Sequence, residues 1–241
     1  MRLTGRHRMK THGGIPYGST CNLAAKLDLY LEGNTREKGS SWRDRSVNVN
    51  HASQTTSANQ PSGVVGGGLD FEDTDDAGTA SMMDFTSFNV PVNTDFLMFI
   101  VWNPETVSSS AYLSDGTSEV FQQTNGGVTL FKTSGATNSM NHASTFAIDT
   151  GEKSVFMIHR TNGSTGTIKL YKNGLVHDPS VTDTTTFDLQ NLGSKNDAAN
   201  WFDGIIYDVG VVQGASATDK VRDMVTDYLC AKHGIGREGN Y

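Results

Sequence analysis

The 241-residue sequence predicts an all-β fold in which antiparallel strands pack as a two-sheet sandwich or jelly roll. Two observations carry this prediction. Apolar residues recur at every second position in several short segments, as they do in a strand with one buried and one exposed face. Turn-forming sequences separate these segments at short intervals, and strands do not alternate with helices as they would in a parallel α/β sheet.

The first 25 residues are predicted to form an extended arm, because Gly13, Gly14 and Pro16 interrupt any regular element there. Residues 1–12 carry four basic residues and no acidic one, and the remaining 15 basic and 26 acidic residues leave a net charge of −11 on the rest of the chain. A short basic arm can bind an acidic partner, including a second copy of this chain, although a merely solvated tail is the alternative. The residues expected to anchor the arm are Arg2, Arg6, Arg8 and Lys10.

Alternating apolar residues mark individual strands from Lys26 onward. They occur in the segments 27–31, 128–130 and 168–170. Segments 96–102 and 154–158 are more continuously apolar, as expected for central strands covered on both faces.

Two glycine-containing turns are predicted beside strands. Asn173 and Gly174 have the composition of a two-residue type I′ hairpin turn, in which both central residues take positive φ. The three glycines at 66–68 are predicted to turn the chain into a strand over residues 69–71. They do not form a phosphate-binding loop, since no Gly-Lys-Ser/Thr sequence follows them.

One amphipathic helix is predicted near the end of the chain, over residues 216–234. Ser216 to Asp219 have the spacing of a capping motif, and Gly234 suits a left-handed helix end. The helix is expected to lie along the sandwich and to bury one apolar stripe, formed by Val221, Val225, Tyr228 and Leu229.

Membrane insertion, classical secretion and a disulfide framework are not expected. The longest apolar run, residues 96–102, is far shorter than the roughly 20 residues that cross a bilayer. The basic N-terminus is not followed by the apolar segment of a signal peptide. The two cysteines, Cys21 and Cys230, are predicted to be free buried thiols, although one bridge between them is conceivable because chain ends often meet.

Five segments occur in a fixed order between residues 27 and 235: Ser-Trp-Arg-Asp-Arg-Ser-Val-Asn at 41–48, Gly-Leu-Asp-Phe-Glu-Asp-Thr-Asp-Asp at 68–76, Leu-Tyr-Lys-Asn-Gly at 170–174, Phe-Asp-Gly-Ile-Ile-Tyr-Asp-Val-Gly-Val-Val at 202–212, and Asp-Tyr-Leu-Cys-Ala-Lys-His-Gly-Ile at 227–235. In order and spacing they resemble the concanavalin A-like, laminin G-like jelly rolls of bacterial surface proteins and phage particles. The resemblance implies a concanavalin A-like domain over residues 26–241, with the helix included.

The sequence departs from this family pattern at three positions. Val47 stands where a Gly is usual, Glu72 where an Asp is common, and Asp208 where the penultimate strand carries a Glu. A ligand geometry taken from other members of the family is therefore not carried over to this chain.

Catalysis is not expected. Glycoside hydrolysis on this scaffold needs paired carboxylates, which the related glucanases carry on a strand of the pattern E-x-D-x-E, absent from this sequence. The nearest match is Asp70-Phe-Glu72, and a solvated acidic turn is favoured over a hydrolase site there. No cofactor is expected, since the histidines have no zinc-binding spacing.

Calcium is the one metal that the sequence leaves as an option. Acidic residues cluster around the predicted strand at 69–71, but the spacing of an EF-hand is missing and a hydrated loop is the favoured interpretation. The candidate ligands are Asp70, Glu72, Asp73, Asp75 and Asp76.

Tryptophan side chains can stack on sugar rings, so each tryptophan was considered as a ligand contact. Trp102 and Trp201 adjoin apolar strands and are predicted to pack in the core. Trp42 lies among polar residues and is the predicted glycan contact.

Two functions remain open from the sequence. The first is a non-catalytic virion structural protein, such as a phage capsid decoration, appendage or tail-associated protein, anchored by its basic arm to other virion proteins and to further copies of itself. The alternative is a lectin-like, carbohydrate-binding module at a cell surface or for host glycans. These functions imply localisation in the virion or, alternatively, outside the cell, and neither nucleic acid nor membrane is an expected partner of the acidic body.

Overall fold

The computed structural model describes residues 23–33, 38–72, 80–106, 110–115, 119–124, 128–133, 136–139, 150–194 and 200–238. The predicted arm, with Arg2, Arg6, Arg8 and Lys10, lies outside these residues, and so does Cys21. No helix among the described residues is long and apolar enough to span a bilayer.

The described residues form mostly β-strands, followed by a helix. In chain order the elements are β1 (Leu29–Glu32), β2 (Ser41–Trp42), β3 (Ala52–Ser53), β4 (Ser62–Gly63), β5 (Leu69–Phe71), β6 (Met83–Val90), β7 (Phe96–Pro104), β8 (Ser110–Ser114), β9 (Glu119–Thr124), β10 (Val128–Thr133), β11 (Ala136–Ser139), β12 (Ser154–Thr161), β13 (Thr167–Lys172), β14 (Leu175–Thr182), β15 (Phe187–Leu192), β16 (Gly204–Gln213) and α1 (Asp219–His233).

The strands form two antiparallel sheets. Sheet 1 has the order β14-β13-β12-β7-β16-β5-β4, and β1 also pairs with β16. Sheet 2 has the order β11-β10-β9-β8-β15-β6-β3-β2. The predicted antiparallel two-sheet sandwich with one C-terminal helix is therefore confirmed.

The space between the sheets is filled by large apolar side chains centred on Trp102. Its ring stacks on that of Phe121, with centroids 5.5 Å apart, and contacts the rings of Tyr112 and Phe156. Its indole N–H donates to Ser154 Oγ over 3.0 Å, so the one polar atom of the ring is satisfied inside the core. The predicted core position of Trp102 is confirmed, and Trp201 is partly buried.

The central strands of sheet 1 are apolar on both faces, as the sequence predicts. On β7, Phe96, Met98 and Ile100 face sheet 2, whereas Leu97 and Phe99 belong to a second apolar cluster on the opposite face. This second cluster is covered by α1, which buries Val225 and Leu229 against it. The sandwich therefore has a third layer on one side only.

The helix begins two residues later than its predicted cap. Ser216 closes a 3-10 turn over Gly214–Ser216, and Thr218 is the N-cap, since its Oγ1 accepts a hydrogen bond from the Val221 N–H over 3.3 Å. Gly234 ends the helix in the left-handed region with a φ of 68°, as predicted. The predicted hairpin turn is also confirmed, because Asn173 and Gly174 have φ values of 50° and 92°.

A buried aspartate fastens the C-terminal end of α1 to sheet 1. Asp208 has no exposed surface, and it accepts hydrogen bonds from Lys232 Nζ over 2.9 Å and from the ring Nε2 of His233. Lys232 Nζ also donates to Glu32 Oε1 over 3.1 Å, which ties β1 to the same point. We call these four residues the Asp208 cluster. Burial alone would lower the pKa of Lys232, but Asp208 and Glu32 outweigh that effect and raise it.

A pairing irregularity on β16 places Asp208 where α1 can reach it. The register between β16 and β7 shifts between Ile206 and Asp208. Ile206 and Val209 face sheet 2, and Tyr207 belongs to the cluster beneath α1. Tyr207 and Asp208 thus both project toward the helix, a result typical of a β-bulge.

Arg160 joins three loops at one end of the sandwich. Its side chain has no exposed surface and lies over the ring of Phe96. The guanidinium donates to three backbone carbonyl oxygens, those of Thr94 over 2.7 Å, Thr185 over 2.7 Å and Pro91 over 3.0 Å. The planar, multi-donor guanidinium suits this arrangement, which a lysine cannot reproduce.

His159, on the outer face of β12, supports the N-terminal end of α1. Its ring is 1% exposed, and its Nε2 lies 2.9 Å from the carbonyl oxygen of Ala217. Since a carbonyl only accepts, Nε2 carries the proton and Nδ1 does not. Nδ1 has no hydrogen-bond partner and lies 3.5 Å from Asp219 Oδ1. Burial lowers the pKa of His159, although the Ala217 carbonyl and Asp219 act in the opposite direction.

Replacing Arg160 should strongly destabilise the fold. In Arg160→Met, three carbonyls lose their charged donor, and we expect the free energy of unfolding to fall by about 2–5 kcal/mol. Urea denaturation measures this change. Lys169→Met, at an exposed position on the neighbouring β13, is the control and should stay within about 0.5 kcal/mol of the parent. Equal midpoints for the two variants would contradict the role assigned to Arg160.

The neutral, buried His159 should make stability depend on pH. Its pKa in the folded state lies below the unfolded value of about 6.5, so the unfolded chain binds more protons as pH falls. The unfolding free energy should decrease below about pH 7, by at most about 1.4 kcal/mol per pH unit from this group, until the folded-state pKa is passed. Denaturation of the parent and of His159→Gln between pH 7 and 5 tests this, and an unchanged slope in the variant refutes it.

Candidate functional site

The two outward faces of the sandwich differ in character. The outward face of sheet 1 is apolar at its centre and is covered by α1. The outward face of sheet 2 carries polar side chains in the described residues, and several of them are exposed. A ligand that meets the sandwich broadside therefore finds its open polar surface on sheet 2.

A row of polar residues crosses five strands on this face of sheet 2. Strand register places each residue opposite the next, from β2 through β3, β6 and β15 to β8. Because side chains alternate along a strand, the neighbours of these residues, such as Trp42, Met83 and Leu192, point into the core. The row consists of Ser41, Ser53, Asp84, Asn191 and Ser114.

Hydrogen bonds join the middle of this row to its sheltered end. Asn191 Nδ2 donates to Asp84 Oδ1 over 2.8 Å, and Ser114 Oγ donates to Asn191 Oδ1 over 3.4 Å. Asp84 is exposed, Asn191 is 7% exposed and Ser114 has no exposed surface. The row thus leads from open surface into a protected recess.

A second polar group lies on the same two central strands, β6 and β15. Asn89 and Asp188 are cross-strand partners, and Asn89 Nδ2 donates to Asp188 Oδ1 over 2.7 Å. The same amide nitrogen donates to Thr186 Oγ1 over 3.1 Å, and Thr186 Oγ1 donates to the Val90 carbonyl over 2.8 Å. Gln190, exposed, lies between the two groups on β15.

The face therefore presents two asparagine–aspartate pairs, Asn191–Asp84 and Asn89–Asp188. Each pair is held by a hydrogen bond that fixes both side chains before any ligand arrives. Amides both donate and accept hydrogen bonds, and carboxylates accept them. Such groups are suited to hold the hydroxyls of a polar ligand in place.

The predicted ligand contact at Trp42 is wrong. The Trp42 side chain has no exposed surface, and its indole N–H donates to the Glu32 carbonyl over 3.0 Å. Trp42 is opposite Ala52 in the pairing of β2 and β3, and both residues belong to the core between the sheets. A ring in that position has no face available for a sugar.

The acidic cluster is described only in part. Asp70 is half-buried on β5, between the core residues Leu69 and Phe71, and burial together with nearby Glu105 raises the pKa of Asp70. Asp73, Asp75 and Asp76 lie outside the described residues. Within the described ones, His, Cys, Asp and Glu form no group of three or more that could hold a metal ion. The calcium option thus stays untested.

Cys230 is a free, buried thiol, as predicted. Burial raises the pKa of Cys230 to about 11, so it is a packing residue of α1 rather than a nucleophile. The alternative bridge to Cys21 concerns a residue outside the described part of the chain.

The sequence gave only weak notice of the polar face. Asp84 lies between the core residues Met83 and Phe85, an alternation that marks it as outward-facing on its own strand. Asn191 and Asn89 carry no motif, and their aspartate partners are about 100 residues away in the chain, with separations of 107 and 99 residues. Only the strand register brings these residues together.

No protein-family model matches this sequence, and no curated protein matches it either. Solved structures do share the fold. Domain 4 of AbnA, an extracellular GH43 arabinanase from Geobacillus stearothermophilus solved with arabinotriose, has a TM-score of 0.52 and 17% identity, covering 85% of this chain and 98% of that domain.

Two further similar structures belong to longer chains. The Trypanosoma rangeli sialidase in complex with the inhibitor DANA has a TM-score of 0.56 and 12% identity, over 87% of this chain and 34% of the sialidase. The ligand-binding domain of botulinum neurotoxin serotype D, in complex with N-acetylneuraminic acid, has a TM-score of 0.56 and 13% identity, over 84% of this chain and 51% of that one. At such identities the likeness shows a shared β-sandwich fold and nothing finer.

Proposed function

We propose that this protein is a non-catalytic carbohydrate-binding module whose ligand lies on the outward face of sheet 2. We call this surface the binding face; its core is the pairs Asn191–Asp84 and Asn89–Asp188. The observation that carries the proposal is the ordering of these two pairs by internal hydrogen bonds on the one broad face that α1 leaves open.

Fixed amide and carboxylate groups favour the binding of a hydroxylated ligand. Each side chain that is already ordered loses less conformational freedom when the ligand binds, which saves part of the usual cost of association. The ligand's hydroxyls can then replace the water that solvates these groups. The sheltered end of the row, at Asn191 and Ser114, excludes water and strengthens hydrogen bonds made there.

The spacing of the two pairs favours an oligosaccharide. They are separated by three residues on β15 and five on β6, or about 10–17 Å at the rise of a strand. One sugar ring is too short to contact both pairs, whereas a chain of rings can. The same separation exceeds the roughly 5–9.5 Å between the two carboxyl groups of glycosidases, which supports binding rather than hydrolysis.

The structural comparisons are compatible with this proposal and also bear on localisation. The arabinanase domain was solved with arabinotriose and the toxin domain with N-acetylneuraminic acid, and the arabinanase is extracellular. A carbohydrate-binding role for the present chain would place it outside the cell or at a cell surface. These ligands are those of the neighbours, and the ligand of this chain is to be found by experiment.

The virion role is a separate proposal that rests on the sequence of the arm. Four basic residues in 1–12 contrast with a net charge of −11 on the rest of the chain, which supports anchoring to an acidic virion neighbour or to a second copy. Mass spectrometry of purified virions, and assembly assays with residues 1–25 deleted, test it. A virion protein of this kind can also bind host glycans.

Loss of the Asn89–Asp188 pair should weaken glycan binding. A glycan array followed by titration calorimetry on the best oligosaccharide should give saturable binding. Asn89→Ala should raise the Kd by about tenfold, because one hydrogen-bonded contact and the ordering of Asp188 are lost.

Asn162→Gly is the matched control for that experiment. It removes an exposed amide from a turn of sheet 1 and keeps the positive φ of 55° at that position, so binding should not change. Absence of binding to any glycan would refute the module, whereas equal Kd values for Asn89→Ala and the parent would move the site away from the binding face.

A further inference from the structure

The charge of the binding face is of one sign. Its described outward side chains include two carboxylates, Asp84 and Asp188, and no basic group. The nearest basic residues along the chain are Arg43 and His51, which lie beyond the ends of the short edge strands β2 and β3. A bound anion would therefore meet negative charge without a matching cation at the centre of the face.

Hydrogen-bond donors around Asp188 are already used within the protein. The two amide hydrogens of Asn89 go to Asp188 Oδ1 and Thr186 Oγ1, and the hydroxyl hydrogen of Thr186 goes to the Val90 carbonyl. The capacity that remains in this group consists of acceptors, namely carboxylate oxygens and the Oδ1 of Asn89. The group is ready to receive hydrogen bonds from a ligand and poor at donating them.

The other pair shows the same tendency. Asn191 directs one amide hydrogen to Asp84, and Ser114 directs its hydroxyl hydrogen to Asn191 Oδ1. A ligand that supplies O–H donors complements both groups. A sugar carboxylate supplies only acceptors and a negative charge, so it would lose its own hydration and gain no donor in return.

We infer that the ligand of the binding face is a neutral, hydroxyl-rich glycan, and that the face discriminates against sialylated and other anionic sugars. This inference rests on the proposed carbohydrate-binding function. The discrimination is electrostatic: like charges repel at the site, and the net charge of −11 outside residues 1–12 slows the approach of anionic ligands. This chain thus differs in its expected ligand from the toxin domain solved with N-acetylneuraminic acid.

The test is a glycan array in which each neutral oligosaccharide is printed beside its sialylated counterpart, followed by calorimetry on the best pair and on arabinotriose. We expect the Kd of the sialylated member to be at least about tenfold higher than that of its neutral partner. The ratio should shrink at high salt, because screening weakens repulsion between exposed charges.

A charge-removing variant identifies the source of the discrimination. Asp188→Asn keeps the shape and a hydrogen-bond acceptor but removes one negative charge, so the neutral-to-sialylated ratio should fall several-fold. Glu152→Gln removes a charge from an exposed residue just ahead of β12 in sheet 1 and should leave the ratio unchanged. An unchanged ratio in Asp188→Asn would overturn the electrostatic explanation.

The possible failures are distinguishable. Sialylated glycans bound as tightly as their neutral partners would overturn this inference and leave the carbohydrate-binding function standing. No saturable binding to any glycan would overturn both.

Discussion

Strands β7, β12 and β16 are apolar on both faces, and the need to bury both faces governs the rest of the structure. One face is buried against sheet 2, and the other would be exposed without α1. The Asp208 cluster and His159 hold α1 over that second face, one near each end of the helix. Sheet 2 has no such requirement, so its outward face is free to be polar and to meet a ligand.

The sequence predicted the parts of the fold that depend on local patterns. The continuous apolar segments became central strands, the Asn173–Gly174 turn has the expected positive φ values, and the helix ends at Gly234. The start of the helix was predicted too early, since Ser216 and Thr218 both suit a cap and only packing selects Thr218. Local chemistry therefore gave the elements but not every boundary.

The candidate site depends on long-range register, which a single sequence does not contain. Trp42 was misjudged because its polar neighbours suggested a loop, whereas alternation over two residues of β2 turns its ring into the core. Arg160 and Asp208 were not predicted to be buried, since a charge is buried only when distant groups satisfy it. The asparagine–aspartate pairs were missed for the same reason: each joins residues that approach only after both strands have found their places.

The position of β16 has a consequence for how the protein is made. This strand is central in sheet 1, pairing with β7 on one side and with β5 and β1 on the other, yet no other strand follows it in the described chain. During translation, the apolar edge of β7 must wait for more than 90 residues until its partner leaves the ribosome, since Phe96 pairs with Gln213. Completion of the sheet is thus a post-translational event, and the waiting edge is a natural binding surface for chaperones that protect nascent chains.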